Sequence, residues 1–270
     1  MLCKSCGNFV EKYSVFCRFC GAKQAAQTVL RDFEIQNGVL IKYKGRKKNV
    51  VIPDGVRAIW FEAFKDCKFI KSVTIPLSVS FIQSEAFGGC TALEEITIPS
   101  LLERIGSEAF NMCTSLKSIS IPFGIEHIYW GTFRNCTSLK SVTFPDSVMT
   151  ISHHAFENCT ALESISIPNR VTDIGWAVFK NCTSLKSVTI PDSVMTIWRC
   201  AFENCTSLES ISISDSVREI QIGAFSGCTS LTEVSVRDIE FKLESTAFKD
   251  CPLDPDSKKA LEKYSIYDKE

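Results

Sequence analysis

No stretch of this 270-residue chain approaches the roughly 18–20 consecutive apolar residues that cross a bilayer, so no membrane helix is expected. The first residues, Met1-Leu2-Cys3-Lys4, lack the basic segment, apolar run and small-residue cleavage site of a secretory leader. The expected compartment is therefore the cytoplasm, where thiols stay reduced. Histidine is scarce. His127, His153 and His154 are the whole supply, and no nucleophile or carboxylate stands singularly beside them as in a catalytic triad. The thirteen glycines form no phosphate-cradling loop and no Gly-x-Ser-x-Gly elbow, and there is no His-Glu-x-x-His pair. These absences remove the familiar hydrolase and nucleotide-binding signatures and point to a chain that is not an enzyme.

Cysteine, by contrast, is abundant and ordered. Nine of the fourteen (Cys67, Cys90, Cys113, Cys136, Cys159, Cys182, Cys205, Cys228 and Cys251) lie 23 residues apart without insertion. A phenylalanine precedes each by three positions, from Phe64 to Phe248. A fixed period of this size marks a solenoid, whose repeats stack because none can bury its apolar face alone. Neighbouring cysteines, one rung or roughly 4.8 Å apart, would present parallel Cβ vectors that do not suit a disulfide dihedral. They read as small apolar fillers of one core column.

Within the periods, triplets such as Val73-Thr74-Ile75 and Ile96-Thr97-Ile98 alternate apolar and hydroxylated residues and end at a proline, which gives way to Ser214 and Arg237 at the far end. That is a half-buried strand, stopped where a ladder donor is missing. Stacking predicts one parallel sheet closed by the rest of each turn, with room before each cysteine for no more than a helical turn. The residue ahead of each repeat cysteine is Asp66, Gly89, Met112, Asn135, Asn158, Asn181, Asn204, Gly227 or Asp250. Gly, Asn and Asp suit a left-handed position there; Met112 is the exception. The full period, Ile75-Pro76-x-x-Val79-x-x-Ile82-x-x-x-Ala86-Phe87-x-x-Cys90-x-x-Leu93-x-x-Ile96, resembles the BspA-like leucine-rich-repeat family with 23-residue repeats. The resemblance implies an α/β leucine-rich-repeat solenoid with a parallel β-sheet. It also brings in an alternative function, that of a cell-surface adhesin binding host matrix proteins.

The expected organisation is a zinc ribbon over 1–23, a linker over 24–31, a capping β-hairpin over 32–52, nine repeats over 53–251 and a helical cap over 252–270. Phe33 to Tyr43 carries an Asn37-Gly38 turn. A two-residue loop would pair Ile35 with Leu40 but Glu34 with Ile41, so the pattern leaves the register open. Asp256 to Tyr264 reads as a short charged helix. Asn135–Ile151 recurs as Asn181–Ile197 with one difference, Phe144 against Ile190. Copying of two-repeat blocks favours selection on length or surface over a singular catalytic site.

Cys3-Lys4-Ser5-Cys6-Gly7 and Cys17-Arg18-Phe19-Cys20-Gly21 form a paired Cys-x-x-Cys arrangement. Two such knuckles complete a tetrahedral four-thiolate site for one structural Zn²⁺, with no open position for substrate. The segment resembles the short zinc ribbon found at the N-terminus of many bacterial proteins. Residues 1–48 hold ten Lys/Arg against three Asp/Glu, a balance of +7, whereas the rest holds twenty against twenty-eight, a balance of −8. Lys42, Lys44, Arg46, Lys47 and Lys48 are thus a candidate phosphate-gripping patch for nucleic acid, or solvated lysines protecting a sheet edge. On the strands, the column Lys71, Glu94, Lys117, Lys140, Glu163, Lys186, Glu209 alternates in sign across most rungs and predicts ion pairs between repeats.

Aromatic residues stand out at positions that are polar or glycine in most repeats: Trp60, Phe61, Tyr129, Trp130, Trp176 and Trp198. Tyr129, Trp130, His153, His154, Trp176 and Trp198 fall in neighbouring repeats. Facing solvent, they make a contiguous partner-binding patch; folded back, they pack over their own turns. The function expected is a protein-interaction scaffold, with the ribbon as a second contact module and nucleic-acid binding as the competing class.

Overall fold

In the computed structural model, the described residues are Cys6, Cys20, 31–236 and 241–264. Cys3, Cys17, the rest of the expected zinc ribbon apart from Cys6 and Cys20, and residues 24–30 of the expected linker lie outside them. Residues 33–236 and 241–262 wind into a β-solenoid, and among the described residues the strands pair in parallel except in the opening hairpin.

Each repeat contributes two strands, where the sequence pattern suggests one. The first ladder uses three- and four-residue strands such as Ser72–Thr74, Ser118–Ser120 and Ser164–Ser166, whose central residue points inward between two outward polar residues. These strands start one residue earlier than the apolar alternation suggests. The second ladder uses two-residue strands, from Ala58–Ile59 to Lys242–Leu243, with the aliphatic residue buried. Register advances by one period at each rung: Val73 faces Ile96, and Ile174 faces Ile197.

The α/β expectation needs correction. Among the described residues the only helix is Pro255–Glu262, at the far end. The segment before each cysteine closes as bare turns, because two left-handed residues four positions apart prevent a helix from propagating. One column is the expected one, and Met112 adopts it at φ 61° like Asn135 and Asn158. The other runs through Glu62, Glu85, Glu108, Gly131, His154, Ala177, Cys200 and Gly223, all at positive φ.

The core is built of columns. Tyr43 stacks on Phe64, and the phenylalanine rings continue to Phe248 with centroids 4.8–5.7 Å apart. Beside them, each thiol from Cys90 to Cys251 donates to the phenylalanine carbonyl of the preceding repeat, as Cys113 Sγ does to Phe87 O at 3.3 Å. Burial therefore costs these thiols no hydrogen bond. Cys90 through Cys228 are buried at this position.

The ends are closed by chain that is not repeat. Phe33–Gln36 and Val39–Tyr43 pair across Asn37-Gly38, with Ile35 opposite Leu40 and Glu34 opposite Lys42. Ile41 is the extra residue of a β-bulge, so both Phe33 and Tyr43 reach the core. Leu40 then pairs in parallel with Ile59, making the hairpin the first rung of the second ladder. At the other end Asp254 caps the helix by accepting from Ser257 N at 2.7 Å, and Ser257 Oγ accepts the Val234 N–H at 2.9 Å. The last first-ladder strand is thus covered by the helix.

Candidate functional site

The site is set by the turn between the second-ladder strand and the second left-handed column. Its exposed or half-buried position recurs as Phe61, Ser84, Ser107, Trp130, His153, Trp176, Arg199 and Ile222. Serines on two rungs separate the N-terminal Trp60–Phe61 pair from a longer aromatic run.

That run is continuous. Trp130 meets His154 edge-on at 5.9 Å, His154 meets Trp176 at 4.5 Å, Trp176 meets His153 at 6.3 Å, and His153 meets Trp198 at 6.0 Å. Trp130 and Trp198 are each more than a third exposed, Trp176 is half-buried, and His153 faces solvent. Tyr129 is half-buried and contacts His127 at 5.9 Å. Five of the six residues singled out by sequence, Trp130, His153, His154, Trp176 and Trp198, therefore form a strip held by ring contacts, with its edges in water. Tyr129 adjoins Trp130 in the chain, but its ring contact is with His127.

Three arginines accompany it that the pattern of aromatics did not reveal. Arg104 lies over Tyr129 at 4.9 Å, Arg134 over Trp130 at 6.0 Å and Arg199 over Trp176 at 4.1 Å. Arg199 carries the strongest available signal, since it occupies the same repeat position as Trp130 and Trp176. Such stacking restrains both partners and keeps the guanidinium edges available for hydrogen bonds.

Polar contacts fix the histidines. Buried Glu157 Oε2 sits 2.9 Å from His154 Nδ1 and 2.6 Å from Arg134 Nε, which anchors His154 between two indoles. His153 Nδ1 accepts the Trp176 backbone N–H at 2.8 Å. Partial burial, then the charges of His154 and Arg199, hold His153 below the ordinary histidine pKa. Trp198 Nε1 donates to Asp173 Oδ1 at 3.4 Å. The strip can offer flat apolar area and hydrogen-bond donors.

The other candidates are placed differently. Lys44 pairs with Glu34 at 2.8 Å, Lys47 with Asp32 at 3.0 Å, and Lys42 Nζ donates to Glu62 O at 2.9 Å. Lys44 and Lys47 are thus engaged within their own hairpin and Lys42 with the first repeat, while Arg46 and Lys48 are exposed. In the charged column, Glu94 bridges Lys71 and Lys117 at 2.8 Å each. Of the proposed zinc ligands, Cys6 and Cys20 are exposed. A hollow of about 350 Å³ between the last repeat and the helix is lined mainly by Leu243, Phe248, Leu253 and Leu261. Among the described residues no helix is long and apolar enough to cross a membrane.

Comparison with known proteins agrees with this architecture. A leucine-rich-repeat protein of Bacteroides ovatus is 26% identical, with 82% of this chain and 78% of that chain covered and a TM-score of 0.52. A leucine-rich-repeat protein of T. pallidum is 25% identical over 88% and 94% of the two chains, at a TM-score of 0.46. A leucine-rich cell surface protein of Faecalibacterium prausnitzii is 21% identical over 87% and 96%, at 0.39. No curated protein sequence matches the chain. The model of the BspA-type leucine-rich-repeat region, six copies long, matches residues 41–163 and 149–257, and the chain belongs to that family.

Proposed function

We propose that this chain is a non-enzymatic intracellular scaffold, and that the strip from Tyr129 and Trp130 to Trp198 and Arg199 is where a protein partner sits. The observation that carries the reading is the unbroken series of ring contacts from Trp130 to Trp198 with its edges exposed. Tryptophan, tyrosine and arginine dominate the residues that carry binding energy at protein interfaces. Here they are mounted on stacked repeats, so little ordering entropy is lost on contact.

Cys3, Cys6, Cys17 and Cys20 would hold one Zn²⁺. Four thiols in two Cys-x-x-Cys pairs suit a tetrahedral zinc ion, and that closed set makes its role structural. A folded ribbon supplies a second attachment point, and two linked modules gain avidity without new contacts. The internal pairing of Lys44 and Lys47 weighs against nucleic acid as the main partner.

The test is affinity capture with the full chain and with a Trp130→Ala/Trp176→Ala variant whose far-UV circular dichroism and melting are unchanged. Partners retained by the wild-type chain and lost by the variant support the reading. Equal capture by both removes the strip from the function. Recovery of the protein at the cell surface would favour the adhesin alternative.

A further inference from the structure

At the position after Trp176, and at its equivalents one repeat either side, backbone N–H groups donate to the next rung: His154 to Trp176 O at 3.0 Å, Ala177 to Arg199 O at 3.1 Å and Cys200 to Ile222 O at 3.1 Å. One position earlier the acceptors are side chains, on the preceding rung for Trp176 and on the next for Arg199. The Trp176 N–H goes to His153 Nδ1 at 2.8 Å, and the Arg199 N–H goes to Gln221 Oε1 at 3.2 Å. A ring nitrogen that accepts a hydrogen bond carries no proton, so His153 is held neutral with its proton on Nε2.

The ring has little freedom to do otherwise. It lies so close over Gly175 that a Cβ there would come within 2.9 Å of Nδ1. It also touches both Trp176 and Trp198. One imidazole therefore sets the relation between two of the three indoles in the strip.

We propose that His153 is a proton-operated switch: its neutral ring holds Trp176 and Trp198 in the arrangement that meets the partner, and protonation at Nδ1 releases them and weakens binding. The proposal rests on the strip being the contact surface. Protonation sets a ring N–H against the Trp176 N–H, so the bond is lost and the ring must turn away from Gly175. The charged groups packed around it do not favour the cation. His154 lies beside it in the same repeat, bonded to Glu157 with Arg134, and Arg199 lies over Trp176 in the repeat above. Asp173, the carboxylate of the intervening rung, is engaged by the Trp198 indole. The lowered pKa agrees with this balance and places the switch below about pH 6.5.

Tryptophan emission of the full chain, titrated from pH 8 to pH 5, reads the switch without a partner, because an imidazolium quenches a neighbouring indole more than a neutral ring does. A reversible change below about pH 6.5 is expected in the wild-type chain and in His154→Gln. It should be absent once His153→Gln is added to His154→Gln, because the new amide oxygen still accepts the Trp176 N–H but does not titrate, and the other ring beside the indoles is gone. Ring ¹⁵N shifts of His153 in the wild-type chain give a second reading, an unprotonated Nδ1 at pH 7.5. Flat emission in the wild-type chain or in His154→Gln, a transition that survives when His153→Gln is added to His154→Gln, or a protonated Nδ1 at pH 7.5 overturns the switch. With a captured partner, affinity should fall at least about fivefold between pH 7.5 and pH 5.5 in the wild-type chain and hold in His153→Gln. If capture ignores Trp130 and Trp176, the site reading fails even where the emission transition stands.

Discussion

Asn158 donates its side-chain amide to Asn135 Oδ1 at 2.8 Å, across one rung of the solenoid. Asn181 does the same to Asn158 at 2.7 Å and Asn204 to Asn181 at 3.0 Å, all from left-handed backbone. The ladder breaks below Asn135, where Met112 holds the column position and Asn135 turns to Asn111 Oδ1 at 3.0 Å instead. Asparagine thus has two uses there: it tolerates the backbone and links the rungs.

Met112→Asn should therefore stabilise the protein. Its backbone already sits at φ 61° and its side chain is half exposed, so little burial is lost. Relief of the left-handed penalty is worth on the order of 1 kcal/mol. Urea unfolding of the variant should show a higher midpoint with an unchanged slope. A lower midpoint would contradict this account of the column.

The buried thiols make a prediction about alkaline pH. Burial drives Cys113, Cys159 and Cys205 far above an ordinary thiol, and Cys136 to about 12. A folded pKa raised above the unfolded one gives stability that is complete below the unfolded value, about 8.5, and is lost progressively as pH rises from there towards the folded value. Stability should fall steadily above about pH 8.5, and less steeply in Cys136→Ala. At pH 8, iodoacetamide followed by mass spectrometry should leave the column from Cys90 to Cys228 unmodified until urea is added. Alkylation of the native column would contradict its packing.

The period of the fold was legible in the sequence because every rung of a solenoid poses the same packing problem. One answer, Phe-x-x-Cys, recurs nine times. The second left-handed column was not legible, since Glu62, Glu85, Glu108, His154, Ala177 and Cys200 lack the usual glycine or asparagine. Tertiary stacking imposes that conformation against local preference. The second ladder was hidden because two-residue strands such as Thr196–Ile197 are too short to show alternation. Of the site, its six aromatic and histidine members could be read, but ring contacts and Arg104 over Tyr129 depend on packing between rungs.

The first ladder is divided into pieces at intervals of two repeats, the same length as the block copied in the sequence. Glu94 N, Lys140 N and Lys186 N donate across the closed junctions at 2.8–3.0 Å, whereas Lys117 N and Glu163 N reach their acceptors only at 3.4 Å. Hydrogen exchange should follow this alternation, with the Glu163 amide exchanging at least several-fold faster than Lys140 and Lys186. Uniform protection along the ladder would show that the two-repeat unit has no mechanical meaning.

For the cysteine pairs near the start, native mass spectrometry of the full chain should find one zinc ion. Cys3→Ser together with Cys17→Ser should remove it, because two thiolates no longer close a tetrahedron. The solenoid should still melt as before, since its core is formed by residues 33–261. Zinc retained by that double variant would contradict the four-cysteine assignment.

The central claim is that a protein partner rests on the exposed rings. Hydroxyl-radical footprinting of the chain, alone and with the partner found by capture, measures this at single residues. Trp130, Trp176 and Trp198 should all label in the free protein and become protected in the complex, while Trp60 labels equally in both. Protection elsewhere with these three unchanged would contradict the account.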